Sequence, residues 1–363
     1  MVWKADVGGT LTVDLGALRA NYRDLRARAG SAECAAVVKA NGYGLGIDLV
    51  APALLAEGCA TFFVARTSEG VALREMSPCA RIFVLDGVAD ASLSDTRVNG
   101  LVPVLNSPDQ VTRWRESGGG EPCAVHVDTG MNRLGLRPEQ FSALHGEGAL
   151  DGLRIVLLLT HPACADDPGD PMNDRQRSSF DIVRKRMPGI PSSYCNSPAF
   201  LGDGPVLDLV RPGIALYGGE FIVGREPLRP VVHVRAAIVQ RREVRPGEPV
   251  GYGSAWRATR PSRLVTCAVG YADGYPRSSG LVPNLPPGHG SIAGHRVPIA
   301  GRVSMDLTSF DVTDIPPDVV RRADAVELFG AHIPIDEAAR AAGTIGYELL
   351  TSLGQRYRRR TLE

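Results

Sequence analysis

The sequence predicts an α/β protein, a (β/α)8 TIM-type barrel over residues 10–225 followed by a mostly β C-terminal domain over residues 226–363. Three observations carry that expectation. Between residues 35 and 217, short, near-continuous apolar runs alternate with helical segments, as parallel strands covered on both faces do. Eight such runs fit into roughly 200 residues, the scale of one closed barrel. Past Phe221 the texture changes to closely spaced strand-like runs between Gly/Pro-rich turns, the mark of a separate β domain.

The elements follow in order. Asp14 stands as an N-cap before Leu15, Leu18, Tyr22 and Leu25, which repeat at helical spacing. Strand-like runs are expected at 35–38, 61–65, 82–85, 101–105, 123–127, 154–160, 193–196 and 207–217, with helices at 47–57, 69–75 and around 175–187. An open, doubly wound sheet is the alternative if two of the eight runs are spurious. In the second domain, strands are expected at 231–242, 264–269, 297–299, 307–312 and 326–329, and helices at 335–342 and around 347–353. Residues 1–9 are expected to pack on that domain.

Composition narrows the function classes. Forty basic residues offset forty acidic ones in 363 residues. No global field favours nucleic acid or an anionic membrane. The basic run Arg356, Arg358, Arg359, Arg360 reads as a solvated tail. Seven cysteines, an odd number with no CxxC pair, read as reduced and mostly buried thiols. Residues 1–9 contain no apolar export segment, and no stretch approaches the roughly 18 apolar residues of a membrane helix. A cytoplasmic protein is expected.

Lys39 emerges at the end of the first strand-like run, which in a barrel is the active-site face. Partial burial there frees a lysine amine for Schiff-base chemistry, although a lysine snorkelling out of a strand end fits equally well. The glycines of Gly42-Tyr43-Gly44-Leu45-Gly46 fit a phosphate turn, and a plain strand-to-helix turn better. His161, Cys164, Asp166 and Asp167 match no zinc spacing and lie in a Pro-marked loop, so no metal is expected. Asn196-Ser197 and Arg211-Pro212-Gly213-Ile214 fall at the ends of the last two runs, where barrels often bind phosphate.

Six motifs in order resemble the alanine racemase family, the two-domain enzymes that use pyridoxal 5'-phosphate (PLP). They are Val38-Lys39-Ala40-Asn41-Gly42-Tyr43-Gly44, the run from Val127 to Gly135, the run from Val210 to Gly218, Gly251-Tyr252-Gly253, the run from Gly270 to Tyr275, and the run from Gly301 to Asp306. The resemblance implies that Lys39 carries PLP and acts as one base. Tyr252, arriving from the partner subunit of a head-to-tail homodimer, would be the other. Tyr43, Ser197, Gly213 and Ile214 would bind the cofactor phosphate, and Arg211 the ring nitrogen. Arg133 would contact PLP and, with the Met305 backbone, the substrate carboxylate. His161 would lie beside Arg211 and Tyr252, and Asp166, Tyr271, Arg277 and Leu353 would line the entrance. The implied reaction is L-alanine to D-alanine, a cell-wall precursor. A racemase of serine or another amino acid, or an amino-acid decarboxylase of the same fold, is the alternative.

Chemistry agrees with that cast. Inverting one carbon needs proton carriers on both faces. Tyrosine ionises near pH 10, so Tyr252 needs cationic neighbours, for which Arg277 and His161 are the candidates. An arginine at the ring nitrogen withholds its proton and weakens the electron sink, which suits moving one proton cleanly. Four departures stand out: Leu45 replaces a frequent histidine, Pro198 a small residue, and Gln355 a phosphate-binding tyrosine. His126 stands where some members have a carbamylated lysine that positions the arginine. Arg133 would then be supported by His126 itself or by a bound anion.

Overall fold

The computed structural model describes residues 8–118, 120–222, 224–225 and 228–363, so the expectation for residues 1–7 lies outside it. The chain forms two compact units. One spans residues 18–216 with a short segment from 220. The other takes the described residues up to Ala17, residues 217–219 and residues from 228 onward.

Strand β1 (Gly9–Asp14) belongs to the second unit and leads into helix Leu15–Ala29, whose Ala17 N–H donates to the Asp14 carboxylate at 2.7 Å. The N-cap works as expected. The first unit is a parallel barrel built from β2 (Glu33–Cys34), β3 (Ala36–Val37), β4 (Thr61–Val64), β5 (Arg81–Val84), β6 (Val102–Leu105), β7 (Pro122–His126), β8 (Arg154–Leu159), β9 (Ser192–Ser193) and β10 (Leu209–Val210). Strands β3 to β9 pair in sequence order, and β10 pairs with β2. β2 and β3 are one run interrupted at Ala35, whose N–H donates to Val210 O at 3.0 Å. Asp208 N–H to Ser192 O (3.1 Å) and Arg211 N–H to Cys195 O (3.0 Å) join β9 to β10. Backbone bonds therefore run round all eight expected strands, and the open-sheet alternative falls away.

β4 and β6 are wholly buried, and Phe63 and Phe83 of neighbouring strands stack at 4.7 Å. Each such side chain contributes roughly 1.5–3 kcal/mol on burial. That explains why these runs are apolar throughout. Five cysteines are buried, Cys79 is exposed and Cys164 is half-buried, all as free thiols.

In the β-rich unit the organising strand is β11 (Val232–Val244). It pairs antiparallel with β1, with β14 (Ser262–Cys267) and with β18 (Ala325–Phe329). β14 also pairs with β17 (Thr308–Asp311), and β18 with β15 (His289–Ile292), which forms a hairpin with β16 (His295–Pro298). β12 (Pro249–Val250) and β13 (Trp256–Arg257) make a separate hairpin. The last strand, β19 (Arg358–Leu362), lies parallel to β1. Arg358, Arg359 and Arg360 are exposed as expected, but they form an ordered strand rather than a tail. No helix among the described residues is long and apolar enough to cross a membrane.

Candidate active site

Lys39 lies beyond β3, at the C-terminal mouth of the barrel. The chain then turns left-handed: φ is 53° at Ala40, 55° at Asn41, 63° at Gly42, 55° at Tyr43 and 83° at Gly44. Each non-glycine residue there costs about 1–2 kcal/mol. Local bonds hold the turn in place. The Glu69 carboxylate accepts Ala40 N–H at 2.7 Å through one oxygen, and Ala65 and Arg66 N–H at 2.8 and 3.2 Å through the other. Asn41 accepts Ile47 N–H at 2.9 Å through its side chain and Gly46 N–H at 2.9 Å through its carbonyl. Neither a phosphate glycine turn nor a plain strand-to-helix turn describes this segment.

The Lys39 ammonium is held below the ordinary lysine range, first by loss of water and then by the nearby Arg133 charge. Asp86 and Glu69 oppose the shift. A larger fraction of the amine is therefore free to act as a nucleophile.

The ends of β9 and β10 build a small polar hollow in the same mouth. The Ser197 hydroxyl accepts Gly213 N–H at 2.8 Å and Ala215 N–H at 3.4 Å, and the Asn196 side chain caps Ala199 N–H at 3.0 Å. A Cβ at Gly213 would overlap the Tyr43 hydroxyl, so only glycine leaves that space open. Ile214 is fully buried beside it. Two hydroxyls and two backbone N–H groups converge here, groups of the kind that hold a phosphate. Pro198 occupies the first turn of helix Ser197–Leu201, where its missing N–H costs nothing. That departure leaves the hollow intact.

Arg211 is buried, donating to the Ser193 hydroxyl, to Thr160 O at 2.6 Å and to Tyr194 O at 3.3 Å. Burial lowers its pKa to about 10, so it stays charged at neutral pH and is no acid. His161 contacts the Asn196 amide at 3.5 Å. Desolvation, then Arg211, Arg133, His126 and Lys39, push its imidazole well below the ordinary histidine range. His161 is therefore neutral at physiological pH. It is not the cation that Tyr252 was expected to need.

Arg133 sits on a loop pinned at both ends to β7. Leu136 N–H donates to His126 O, and Asp128 N–H to Leu136 O, each at 2.8 Å. The Asp128 carboxylate accepts Gly130 and Met131 N–H at 3.0 and 2.8 Å. Asn132 lies in the left-handed region at φ 55°, and Arg133 projects exposed from the loop. Asp166 is exposed on the loop after β8. Among the described residues no three His, Cys, Asp or Glu side chains gather as a metal site.

The remaining expected residues belong to the β-rich unit. Tyr252 is 72% exposed on a turn between Gly251 (φ 72°) and Gly253 (φ 69°). It lines a concavity of ≈ 370 Å³ with Arg302, Thr266, Ser304 and Ser309. Tyr271 and Met305 share a neighbouring pair of loops: Tyr271 N–H donates to Ser304 O at 3.1 Å and Ala272 N–H to Met305 O at 2.9 Å. Arg356 ties these loops together, bonding Asp273 at 3.2 Å and Asp306 at 2.9 Å. Leu353 is buried against the same turn, while Arg277 is exposed.

Sequence reasoning missed Glu69 and Arg302, and read Arg356 only as part of a solvated tail. Glu69 was findable, since a glutamate three residues after a helix N-cap commonly reaches back to backbone N–H groups. Arg302 lay inside a quoted motif.

A parallel barrel with a lysine of lowered pKa and converging hydroxyls and backbone N–H groups at one mouth has the architecture of an enzyme site open to an anionic ligand. Comparison with known proteins narrows the class. The family profile described as "Alanine racemase, N-terminal domain" matches residues 13–220, and "Alanine racemase, C-terminal domain" matches 231–361. A biosynthetic alanine racemase of Agrobacterium fabrum is 50% identical, across 97% of this chain and 93% of its own. A catabolic one of Mesorhizobium japonicum is 44% identical, across 99% and 94%. The crystal structure of alanine racemase from Bartonella henselae with covalently bound pyridoxal phosphate is 36% identical. It superimposes with a TM-score of 0.89 over 98% of this chain and 100% of that one. The chain belongs to the alanine racemase family.

Proposed function

We propose that this protein is a PLP-dependent racemase that interconverts L- and D-alanine. Its two bases are Lys39 of one subunit and Tyr252 of the partner subunit in a cytoplasmic, head-to-tail homodimer. The observation that carries the reading is the barrel mouth. A partly buried lysine, its pKa lowered first by lost water and then by Arg133, shares the strand ends with Ser197, Gly213 and Tyr43, whose hydroxyls and backbone meet closely.

Tyr43, Ser197, Gly213 and Ile214 would hold the phosphate, and Lys39 would carry the covalent link. When bound, PLP supplies the electron sink that acidifies the substrate Cα–H. Arg211, still protonated, would hold the ring nitrogen without giving it a proton. Arg133 and the Met305 backbone orient the substrate carboxylate, so that the Cα–H bond faces one base at a time. Lys39 Nζ takes or returns the proton on one face, and the Tyr252 hydroxyl does so on the other. His161, being neutral, serves as a hydrogen-bond partner only, and the cation that shares the Tyr252 concavity is Arg302. Asp166, Tyr271, Arg277 and Leu353 restrict entry. The barrel near residues 10–225 thus holds the cofactor, and residues 226–363 supply the second base and the carboxylate contact.

The test is PLP-supplemented protein incubated with L-alanine and other L-amino acids, followed by chiral chromatography and CO2 measurement. D-alanine rising toward an equal mixture is the expected result. CO2 release without D-product would identify a decarboxylase instead. Shared sites are tested by mixing Lys39→Ala and Tyr252→Phe subunits after dissociation. Activity should return at one site per heterodimer, and confirmed heterodimers without activity would refute the sharing.

A further inference from the structure

Lys39 lies between two anchored neighbours, and one of the anchors is more than helix capping requires. Val38 N–H donates to Phe63 O of β4 at 2.9 Å, and Ala40 N–H donates to the Glu69 carboxylate at 2.7 Å. Glu69 stands in the first turn of helix Thr67–Met76. One of its oxygens, Oε2, serves that helix start by accepting Ala65 and Arg66 N–H. A capping side chain needs nothing further. The other oxygen, Oε1, leaves the helix for Ala40, so one side chain staples the end of β4 to the loop after β3.

The three donors also decide the chemistry of this position. All are backbone N–H groups, two on one oxygen and one on the other. A carboxylate accepts at both oxygens. A glutamine amide accepts at one and would turn its NH2 group against a backbone N–H at the other. Capping accepts glutamate or glutamine alike, so the need for a carboxylate comes from Ala40. Past Ala40 the turn closes on itself, with Gly42 N–H on Val38 O at 2.9 Å and Gly44 N–H on Ala40 O at 2.8 Å. Ala40, Asn41 and Tyr43 sit at positive φ, a conformation that an unrestrained chain leaves. The charge of Glu69 reaches the amine as well. Lost water and then Arg133 lower the Lys39 pKa, and Asp86 and Glu69 hold it up.

We propose that Glu69 is a positioning residue for Lys39: its carboxylate clamps Ala40 to the end of β4 and so fixes the backbone from which the amine acts. The inference rests on the racemase reading for what Lys39 does, but not for the clamp.

Two variants separate the clamp from the cap. Glu69→Gln can keep its oxygen on Ala65 and Arg66 N–H while losing Ala40, whereas Glu69→Ala loses both. Hydrogen exchange of the full-length protein, read by mass spectrometry, should speed up about tenfold across residues 40–47 in Glu69→Gln and stay within about twofold across residues 67–76. In Glu69→Ala both segments should exchange faster. Wild-type exchange across residues 40–47 in Glu69→Gln overturns the clamp. Positioning is read from the rate at which added PLP forms an imine with cofactor-free protein, followed by absorbance across pH. Lys39→Ala protein is the blank for Lys4 and Lys185. The rate on the alkaline plateau, where the amine is wholly free, should fall about tenfold in Glu69→Gln. The midpoint of the profile should move to lower pH, because a negative charge that held the ammonium is gone while Arg133 and Asp86 remain. A glutamate with a structural role alone would change stability and leave that midpoint in place. An unchanged plateau and midpoint in Glu69→Gln overturn the positioning role. If the wild type forms no imine at Lys39, the racemase reading fails by itself and the exchange result still decides the clamp.

Discussion

The barrel mouth and the Tyr252 face of the β-rich unit present their side chains in two different ways. In the mouth, Arg211, Ser197, Gly213 and Tyr43 are buried and Arg211 and Ser197 are hydrogen-bonded, and Lys39, His126 and His161 are shifted in pKa by lost water and by neighbouring cations. On the other unit, Tyr252, Met305 and Tyr271 are 72%, 53% and 41% exposed on loops. One region has its electrostatics built in. The other holds its backbone rigidly, through the Gly270–Met305 contacts and the Arg356 clasp, while its side chains meet solvent. Lost water and nearby charge perturb the groups of the first region, whereas the side chains of the second stay in solvent.

That contrast can be broken in three places. The largest effect is expected at Lys39. Lys39→Ala should reduce racemization by about a thousandfold or more, read by chiral chromatography. Borohydride reduction of the PLP-loaded wild type should label Lys39 and neither of the other two lysines, Lys4 and Lys185. Label on Lys185 would mean that the mouth is not the reactive region.

Next comes the hollow. Gly213→Ala pushes a methyl group into the Tyr43 hydroxyl. PLP affinity should fall at least about tenfold by absorbance titration, for a displacement worth roughly 1–3 kcal/mol. Unchanged affinity would show that phosphate binds elsewhere.

The smallest effect concerns acid. The folded His126 pKa of about 4 lies below the ordinary 6.5, so the unfolded chain takes up a proton first as pH falls. Its contribution is fully present above pH 6.5 and disappears between 6.5 and 4, a loss of about 2–3 kcal/mol. Denaturant melts across that window should show the decline, with a shallower slope in His126→Gln. Tyr252→Phe, which alters an exposed side chain, should leave the same curve unmoved. An equal slope in the wild type and His126→Gln would remove His126 from the buried set.

Much of this was legible in the sequence because parallel strands buried on both faces must be apolar throughout, and runs such as 61–65 and 101–105 announce themselves. Lys39 was legible for the same reason, as the first polar residue after such a run. β1 and β19 were not, since the first looks like any alternating segment and the second is a row of arginines whose pairing depends on a partner more than 300 residues away. The left-handed turn was hidden too, because Ala40 and Tyr43 give no local sign of positive φ. Nor does sequence report protonation. The lowered pKa of His161 arises first from burial and then from Arg211 and Arg133, all set by the tertiary fold, so the sequence could not show that it is a poor candidate for a cation.

The turn after Lys39 also bears on protein engineering. Five successive residues with positive φ are a conformation that standard right-handed loop libraries do not contain, and the carboxylate that stabilises it lies 29 positions downstream, on another helix. Anyone transplanting this reactive lysine into a new barrel must therefore move residues 39–47 and Glu69 together, as a discontinuous cassette. A graft of the contiguous motif alone carries the amine but leaves behind the restraint that aims it.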